Sequence, residues 1–243
     1  MLKRSPSLVE QVKTHLKERI VNLEFDGGRM PSESNLADEL KVSRNTIRDA
    51  LSRLEMEGII FRKQGAGTFV NEAVLLVKTR LDEIIPYEQL IQEHSYTPSV
   101  KLTYVKEETV DPQIAAQLKS NNDEKMLTVQ KLFCADEKPV ILTHSYIPTS
   151  LITKPYHQDE FLKPTYHFLS NFCRQTLAYF LTDIVPLIAP AWLVDQLGLP
   201  QPQTALLSFQ EMGFNQENVP IIKATSYFRD ELLRLRLMRR PMN

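Results

Sequence analysis

Apolar residues recur every three or four positions in three successive segments between residues 8 and 54, which is the spacing of one face of an α-helix. Ser5, Ser32 and Ser43 stand near the starts of these segments, where a hydroxyl can cap the first turn of a helix. The apolar positions are, in order, Leu8, Val12, Leu16, Ile20 and Leu23; Leu36, Ala37 and Leu40; and Ile47, Ala50, Leu51 and Leu54. The chain is therefore predicted to begin with three amphipathic helices that share one small core.

The pattern changes after Gly58, which stands where a helix ends in a left-handed residue. An apolar run at 59–61 and a basic pair at 62–63 precede a glycine-containing turn at 65–67, and a second short run follows at 68–70. Two short runs around such a turn predict a β-hairpin. With a tight turn at 41–42 between the second and third helices, the segment from Met30 to Val70 predicts a winged helix-turn-helix.

Arg44, Asn45 and Arg48 lie opposite the apolar stripe of the third predicted helix, within its first two turns. A recognition helix presents side chains to DNA bases from this position. Arginine can donate two hydrogen bonds to guanine, and asparagine can pair with adenine. On an isolated helix, charged residues at this spacing would more often only face solvent. The complete module of capped helices and basic hairpin favours DNA contact.

This stretch resembles the DNA-binding domain of the GntR family of bacterial transcription regulators. The matching residues are Pro31, Ser32, Glu33, Val42, Ser43, Arg44, Thr46, Arg48, Ala50, Leu51, Leu54, Glu57, Gly58, Gly65, Gly67, Thr68, Phe69 and Val70. The resemblance implies that arginines of the third helix contact bases, that nearby polar residues contact the DNA backbone, and that Gly65 approaches the minor groove. The candidate DNA-binding residues are Ser32, Glu33, Ser34, Ser43, Arg44, Asn45, Thr46, Arg48, Lys63, Gly65 and Gly67.

Two positions depart from the pattern of this family. Ser34 stands where many relatives have a DNA-contacting arginine, and Lys41 replaces the usual glycine of the turn. The first difference affects sequence preference and the second affects turn geometry. We therefore expect an operator that differs from those of better-matched relatives.

The second half of the chain contains one pattern twice. Aligning Pro139 with Pro220 superimposes apolar pairs directly after them and the motifs Ser-Tyr-Ile at 145–147 and Ser-Tyr-Phe at 226–228. Short helical patterns precede both hairpins, after Pro112 and Pro190, and strand candidates at 102–110 and 177–185 precede the helices. Each copy thus predicts a strand, a helix and a hairpin. Two copies predict about six strands in one antiparallel sheet, in a domain of the α+β class.

This architecture resembles the UTRA effector domain, of chorismate-lyase-like fold, that follows the DNA-binding domain in the HutC subfamily of GntR regulators. The supporting residues are Pro139, Val140, Ser145, Tyr146, Ile147, Pro148, Pro220, Tyr227, Phe228, Arg229 and Asp230. The resemblance implies that the domain binds a small metabolite, forms a homodimer, and changes the affinity for an inverted-repeat operator in double-stranded DNA. We expect a DNA-binding domain at 1–70, a linker at 71–85 and the effector and dimerisation domain at 86–243.

Candidate effector-binding residues follow from the strand pattern, the repeat and the resemblance. Lys131 interrupts an otherwise apolar strand face, so its ammonium must either reach water or meet an anion. Relatives often carry an arginine there that holds an anionic group, which predicts a sugar phosphate, an amino-acid derivative or an organic acid as effector. The candidates are Lys131, Ser145, Tyr146, Tyr166, Lys223, Ser226 and Tyr227. Alternatively, the tyrosines fill the core and the serines lie at a sheet edge.

Composition excludes several classes of protein. The 243 residues carry a net charge of −1, and residues 1–76 hold 12 basic against 11 acidic side chains, so DNA attraction must come from a local patch. No apolar run is long enough for a membrane span or a signal peptide, which predicts a cytoplasmic protein. Cys134 and Cys173 lack the spacing of metal ligands and are assigned no chemistry.

The sequence leaves two alternatives open. Another GntR subfamily senses metals or organic acids in a helical domain, and His144, His157 and His167 are candidate ligands, although no two are spaced to share a metal on one helix. The chorismate-lyase-like fold also occurs in an enzyme, so the second domain could act on a small metabolite. No nucleophile, phosphate-binding loop or carboxylate pair stands at catalytic spacing. We therefore expect a repressor that is not an enzyme and needs no cofactor or metal.

Overall fold

The computed structural model describes residues 7–71, 83–121, 123–200 and 204–229, together with Leu233 and Leu235. The described residues form two compact units, one up to residue 71 and the other from residue 83 onward. Ser5 and most of the predicted linker 71–85 lie outside the described residues. The first helix is capped by Ser7 instead, whose hydroxyl accepts a hydrogen bond from the backbone N of Glu10.

The N-terminal unit contains the predicted helices and hairpin. Its elements are α1 (Leu8–Val21), α2 (Glu33–Leu40), α3 (Arg44–Met56), β1 (Ile60–Lys63) and β2 (Gly67–Val70). One apolar face of each helix enters a single core, in which Leu16, Ile47 and Leu54 are fully buried. Gly58 has the left-handed φ of +70° that lets the chain leave α3. The prediction of a winged helix-turn-helix is confirmed.

Lys41, between α2 and α3, adopts a left-handed conformation with φ of +53°. A Cβ atom in this region costs about 1 kcal/mol relative to glycine, which explains why the family pattern has glycine there. The turn is nevertheless closed by a hydrogen bond from Val42 N to Ala37 O of 3.1 Å. The lysine therefore preserves the geometry of the motif at some cost in stability.

The C-terminal unit is built on one antiparallel sheet of six strands in the order β3-β4-β5-β8-β7-β6. The strands are β3 (Pro98–Glu108), β4 (Met126–Ala135), β5 (Lys138–Pro148), β6 (Leu177–Ile188), β7 (Ala205–Asn215) and β8 (Pro220–Phe228). The helices are α4 (Tyr87–Glu93), α5 (Pro112–Gln117), α6 (Thr165–Phe172) and α7 (Ala191–Leu197). This confirms the predicted α+β class. Strand β3 begins four residues before the predicted range 102–110 and ends two residues short of it, and β6 ends three residues after the predicted range 177–185.

The strand order reflects the internal repeat. Strands β3, β4 and β5 with α5 form one copy, and β6, β7 and β8 with α7 form the other. The copies meet where β5 pairs with β8, in a register that runs from Ile141 opposite Phe228 to Tyr146 opposite Lys223. A pseudo-twofold axis therefore passes near the pair His144 and Thr225.

The two faces of the sheet are covered differently. On one face, α7 packs through Leu193 and Leu197 against Leu142 of β5. Helix α5 packs on the same face through a second cluster, which includes Met126 of β4. Helices α4 and α6 lie over the other face, where aromatic residues of β4, β7 and β8 form the core beside a cavity.

Candidate nucleic-acid interface and ligand cavity

The start of α3 presents its polar side chains to solvent. Arg44, Asn45 and Arg48 are all exposed, while the apolar stripe of the same helix is buried. Ser43 caps the helix by accepting a hydrogen bond from the backbone N of Thr46 at 3.1 Å, and the two hydroxyl oxygens lie 2.8 Å apart. The cap therefore fixes where the helix begins and which side chains its first turn exposes.

Glu33 links α2 to this exposed surface. Its Oε2 accepts hydrogen bonds from Nε and Nη2 of Arg48 at 3.3 and 3.2 Å, and its Oε1 lies 3.9 Å from Nη2 of Arg62. Arg62 is also paired with Glu55 at 3.3 Å. The candidates at the start of α2 are thus next to those on α3. At the start of α2, Ser32 caps the helix by accepting a hydrogen bond from Asn35 N, and Ser34 is half-buried.

The hairpin exposes the remaining candidates. Lys63 is solvent-exposed and lies opposite Gly67 in the ladder between β1 and β2. Gly65 has φ of +74°, and nothing lies within 4 Å of the position that a Cβ would take there. The tip is therefore open to a close approach from outside, which glycine permits without steric cost.

A cavity of about 750 Å³ lies between the sheet and helices α4 and α6. Its floor follows the strand ladder in two rows of paired residues. One row contains Lys131, Thr143, Ser226, Phe209 and Ile184, and the other contains Ser145, Ala224, Glu211 and Thr182. Most of the walls are apolar or aromatic, a lining typical of small-molecule sites.

Lys131 is the buried cation of this floor, with 4% of its surface exposed. Its Nζ donates to the backbone O of Lys163 at 3.1 Å and to Oγ1 of Thr165 at 3.3 Å. Burial lowers the pKa of Lys131 to about 8, against the opposing charge of Glu88. An ammonium has three donors, so one of them remains for a ligand.

Glu211 is the acidic counterpart on β7. Burial raises the pKa of Glu211 to about 7, although hydrogen bonds from Thr182, Ser226 and Tyr87 act in the opposite direction. The hydroxyl of Thr182 lies 3.2 Å from Oε1, and the hydroxyl of Tyr87 donates to Ser226 Oγ at 2.8 Å. Glu211, Tyr87 and Thr143 are cavity residues that the sequence interpretation missed. The repeat could have indicated Glu211, because it occupies the position in β7 that Lys131 occupies in β4.

The structure brings together Lys131, Ser145, Tyr166 and Ser226 in the cavity lining. Tyr146, Lys223 and Tyr227 lie outside it, on the opposite face of the sheet. As a correction to the prediction, these three residues do not share a cavity with the other candidates. Successive residues of a strand point to opposite faces, and both members of a Ser-Tyr pair therefore cannot line one cavity. Tyr146 stacks on His144 with ring centroids 4.8 Å apart, Tyr227 packs edge-on against Trp192, and Lys223 donates to Gln117.

Within the described residues, no three His, Cys, Asp or Glu side chains are placed to hold one metal ion. The same part of the chain contains no helix with the length and hydropathy needed to cross a membrane.

Comparison with known families identifies both units. Residues 8–70 match the profile of the bacterial regulatory proteins of the gntR family, and residues 93–234 match that of the UTRA domain. The chain belongs to the GntR family. As a GntR-family protein with a UTRA domain, it is a DNA-binding transcriptional regulator and not an enzyme. The second unit is an antiparallel UTRA domain, so the alternative of a helical metal-sensing domain was wrong.

Individual relatives support the HutC-type assignment of this GntR-family regulator. It is 23% identical over 224 residues to the transcriptional repressor NagR of Bacillus subtilis, covering 92% of this chain and 89% of that protein. It is 27% identical to the histidine utilization repressor of Pseudomonas putida, covering 76% and 68%. The crystal structure of YydK from Bacillus subtilis, a possible transcriptional regulator, superimposes with a TM-score of 0.76 at 16% identity over 97% of this chain and 100% of that one. This likeness shows a shared fold.

Replacing Glu211 by glutamine should change the pH dependence of stability. The folded-state pKa of Glu211 is raised to about 7 from an ordinary 4.5, so its stabilising contribution is complete below pH 4.5 and is lost as the pH rises through 7. This loss amounts to at most about 3 kcal/mol. Glu211→Gln should therefore unfold at a higher temperature than the wild type at about pH 8, with a much smaller difference near pH 5. Thermal unfolding at both pH values tests this, and an equal difference at both would contradict it.

Proposed function

We propose that this regulator represses transcription by binding an inverted-repeat operator, and that a small anionic effector in the C-terminal cavity lowers its affinity for DNA. The observation that carries the proposal is the buried ammonium of Lys131 on the floor of a largely apolar cavity in a UTRA domain. A buried cation is costly unless an anion compensates it. The relatives named as repressors support the direction of control.

The proposed DNA contacts divide into base readout and positioning. Arg44 and Arg48 read bases in the major groove, while Ser32, Asn45 and Thr46 contact phosphates nearby and the wing tip at Gly65 approaches the minor groove. Exposure of all three α3 side chains and the open space at Gly65 support this division. Glu33 acts through Arg48, because a carboxylate does not favour contact with phosphate.

Arg44→Ala and Arg48→Ala should each weaken operator binding by about 1 to 3 kcal/mol, if each guanidinium makes a bidentate base contact. Arg53→Ala is a matched control, because Arg53 lies near the end of α3 and is paired with Glu10 at 2.9 Å. Gel-shift titrations of the three variants on the same operator measure the effect. Equal affinities for all three variants and the wild type would remove these arginines from the interface.

We also propose a cytoplasmic homodimer held together by domain 86–243, with domain 1–70 reading one half-site and segment 71–85 as the linker. An inverted repeat presents the same sequence twice, and a twofold dimer matches that symmetry. Leu181 and Ile188 of the edge strand β6 are 65% and 61% exposed, and exposed apolar residues of this kind favour association.

Sedimentation equilibrium should therefore give twice the chain mass of 28.1 kDa for the free protein. Leu181→Lys should shift the population towards monomer, since a charge on an apolar contact opposes association. Val219→Lys serves as the control, because Val219 is also an exposed apolar residue but lies in the turn between β7 and β8. A wild-type protein that sediments as a monomer at micromolar concentration would contradict the proposed dimer.

Control of DNA affinity requires that the effector bind the two states of the dimer unequally. A ligand shifts an equilibrium only by its difference in affinity for those states. A derepressing effector therefore binds more tightly to the conformation that does not hold DNA. By linkage, operator DNA must weaken effector binding by the same factor.

Lys131→Met should abolish the response to an anionic effector while leaving DNA binding of the free protein intact. Methionine is unbranched and only one atom shorter than lysine, so it removes the charge and leaves little empty volume. Thermal-shift measurements over sugar phosphates, amino-acid derivatives and organic acids identify ligands, because a ligand stabilises the folded state that binds it. Lys138→Met, at an exposed position of β5, is the control. An unchanged shift in Lys131→Met for the anionic ligands would remove Lys131 from the site.

A further inference from the structure

We propose that the effector is bipolar, with an acidic group held at Lys131 and a protonated amino group held at Glu211. This inference rests on the proposed effector site at Lys131 and extends it to the opposite end of the cavity. It defines the ligand as a class: a compact zwitterion, or an amine that also carries a phosphate or carboxylate.

The repeat places these two residues in equivalent positions. Lys131 of β4 pairs with Thr143 of β5, and the repeat equivalent of Thr143 is Ala224, which pairs with Glu211 of β7. The pseudo-twofold axis therefore relates Lys131 to Glu211. One copy of the repeat supplies a base to the cavity floor, and the other copy supplies an acid at the same place.

The two charged groups lie at opposite ends of the floor. Strands β5 and β8 separate β4 from β7, and Glu211 is two residues along β7 from the residue in the row of Lys131. Strand spacing and residue rise place their Cα atoms about 16 Å apart. They are thus separate recognition points for one ligand and do not form an ion pair with each other.

Glu211 has no lysine or arginine near it among the described residues of the cavity lining. Among the described residues that line the cavity, Lys131 is the only lysine or arginine. The hydroxyl of Thr182 donates to Glu211 at 3.2 Å, and the hydrogen-bonded hydroxyls of Tyr87 and Ser226 also act on its carboxyl group, so the polar groups around it are neutral hydroxyls. An ammonium group on the ligand would neutralise the charge of the carboxylate, whereas a ligand hydroxyl would add only another hydrogen bond.

The middle of the floor suits the apolar part of such a ligand. Ala224, Phe209 and Phe228 lie between or beside the charged ends, and the ring of Tyr87 packs edge-on against Phe133 and Phe228 at centroid distances of 5.3 and 5.5 Å. Aromatic faces also attract a cation approaching Glu211. The cavity thus has Lys131 at one end, where the charge of Glu88 also acts, an apolar middle, and Glu211 at the other end.

The test compares ligands that differ only at the end facing Glu211. Isothermal titration of the full chain at neutral pH uses hexanoate, 6-hydroxyhexanoate and 6-aminohexanoate, with the four-carbon and eight-carbon homologues to cover different spans. We expect the amino compound of the best length to bind at least about tenfold more tightly than its hydroxy and unsubstituted analogues, since an ion pair in a cavity is stronger than a neutral hydrogen bond. Absence of this preference at every length would overturn the proposal.

Variants assign the preference to the two ends. Glu211→Gln should reduce the ratio of amino to unsubstituted affinity to about one, and Glu211→Asp, which keeps the charge, should retain a preference. Lys131→Met should weaken all three compounds, because they share the carboxylate. Thermal unfolding confirms that each variant is folded.

The outcomes separate this inference from the proposed function. Equal binding of all three compounds with a loss in Lys131→Met would overturn the bipolar ligand and leave the anion site intact. A different result is that the hydroxy and amino compounds gain the same affinity over the unsubstituted acid and both lose it in Glu211→Gln. That result would assign a hydroxylated ligand and overturn the proposed ammonium group. Binding that is insensitive to Lys131→Met would contradict the proposed anion site itself.

Discussion

The pairing of β5 with β8 is the constraint on which the C-terminal unit depends. It joins the two copies of the repeat in a register that runs from Ile141 opposite Phe228 to Tyr146 opposite Lys223. Because the side chains of a strand alternate between faces, this register decides which residues of both copies share the cavity floor. A shift of one residue would turn one of the two strands over, so that Tyr227 would replace Ser226 in the cavity or Tyr146 would replace Ser145. The register thus specifies the lining of the cavity as well as the fold.

The cavity floor also contains buried ionisable side chains that reduce the stability of the unit. Lys131 is almost fully buried, and burial raises the pKa of Glu211 to about 7. Apolar residues of similar size at these positions would avoid the cost of desolvating charge. Strongly perturbed ionisable groups that line a cavity are typical of binding sites. Lys131 and Glu211 both cost stability at equivalent positions of the repeat, which supports a role for both in ligand recognition.

The sequence allowed the N-terminal unit to be predicted almost completely, because its signals are local. Serine caps, apolar stripes and the glycine turn each act within a few residues, and the resemblance to a family covered the same segment. The repeat likewise predicted a six-stranded sheet. Lys131 could be identified because it interrupts an apolar strand face. Glu211 was missed because its partners Tyr87, Thr182 and Ser226 come from three separate elements, which only the folded chain brings together.

The prediction for the Ser-Tyr motifs was partly wrong for a related reason. The repeat identified Ser145 with Tyr146 and Ser226 with Tyr227 as corresponding pairs, but it could not by itself assign a face to each member. Only the serines line the cavity. The tyrosines belong to the side covered by α5 and α7, where Tyr227 contacts Trp192. Because side chains alternate between the faces of a strand, neighbouring members of one motif belong to different sites.

The contact between Glu33 and two arginines has a consequence for how DNA binding responds to salt. Arg48 and Arg62 both face the carboxylate of Glu33 in the free protein, so part of the positive surface is already compensated. When an arginine gives up a carboxylate to bind a phosphate, fewer counterions are released overall than when a merely hydrated arginine binds the phosphate. A plot of log affinity against log salt concentration would then have a shallower slope than the number of arginines at the interface suggests. The slope would report the net positive charge at the interface, which is smaller than the number of arginines that contact DNA.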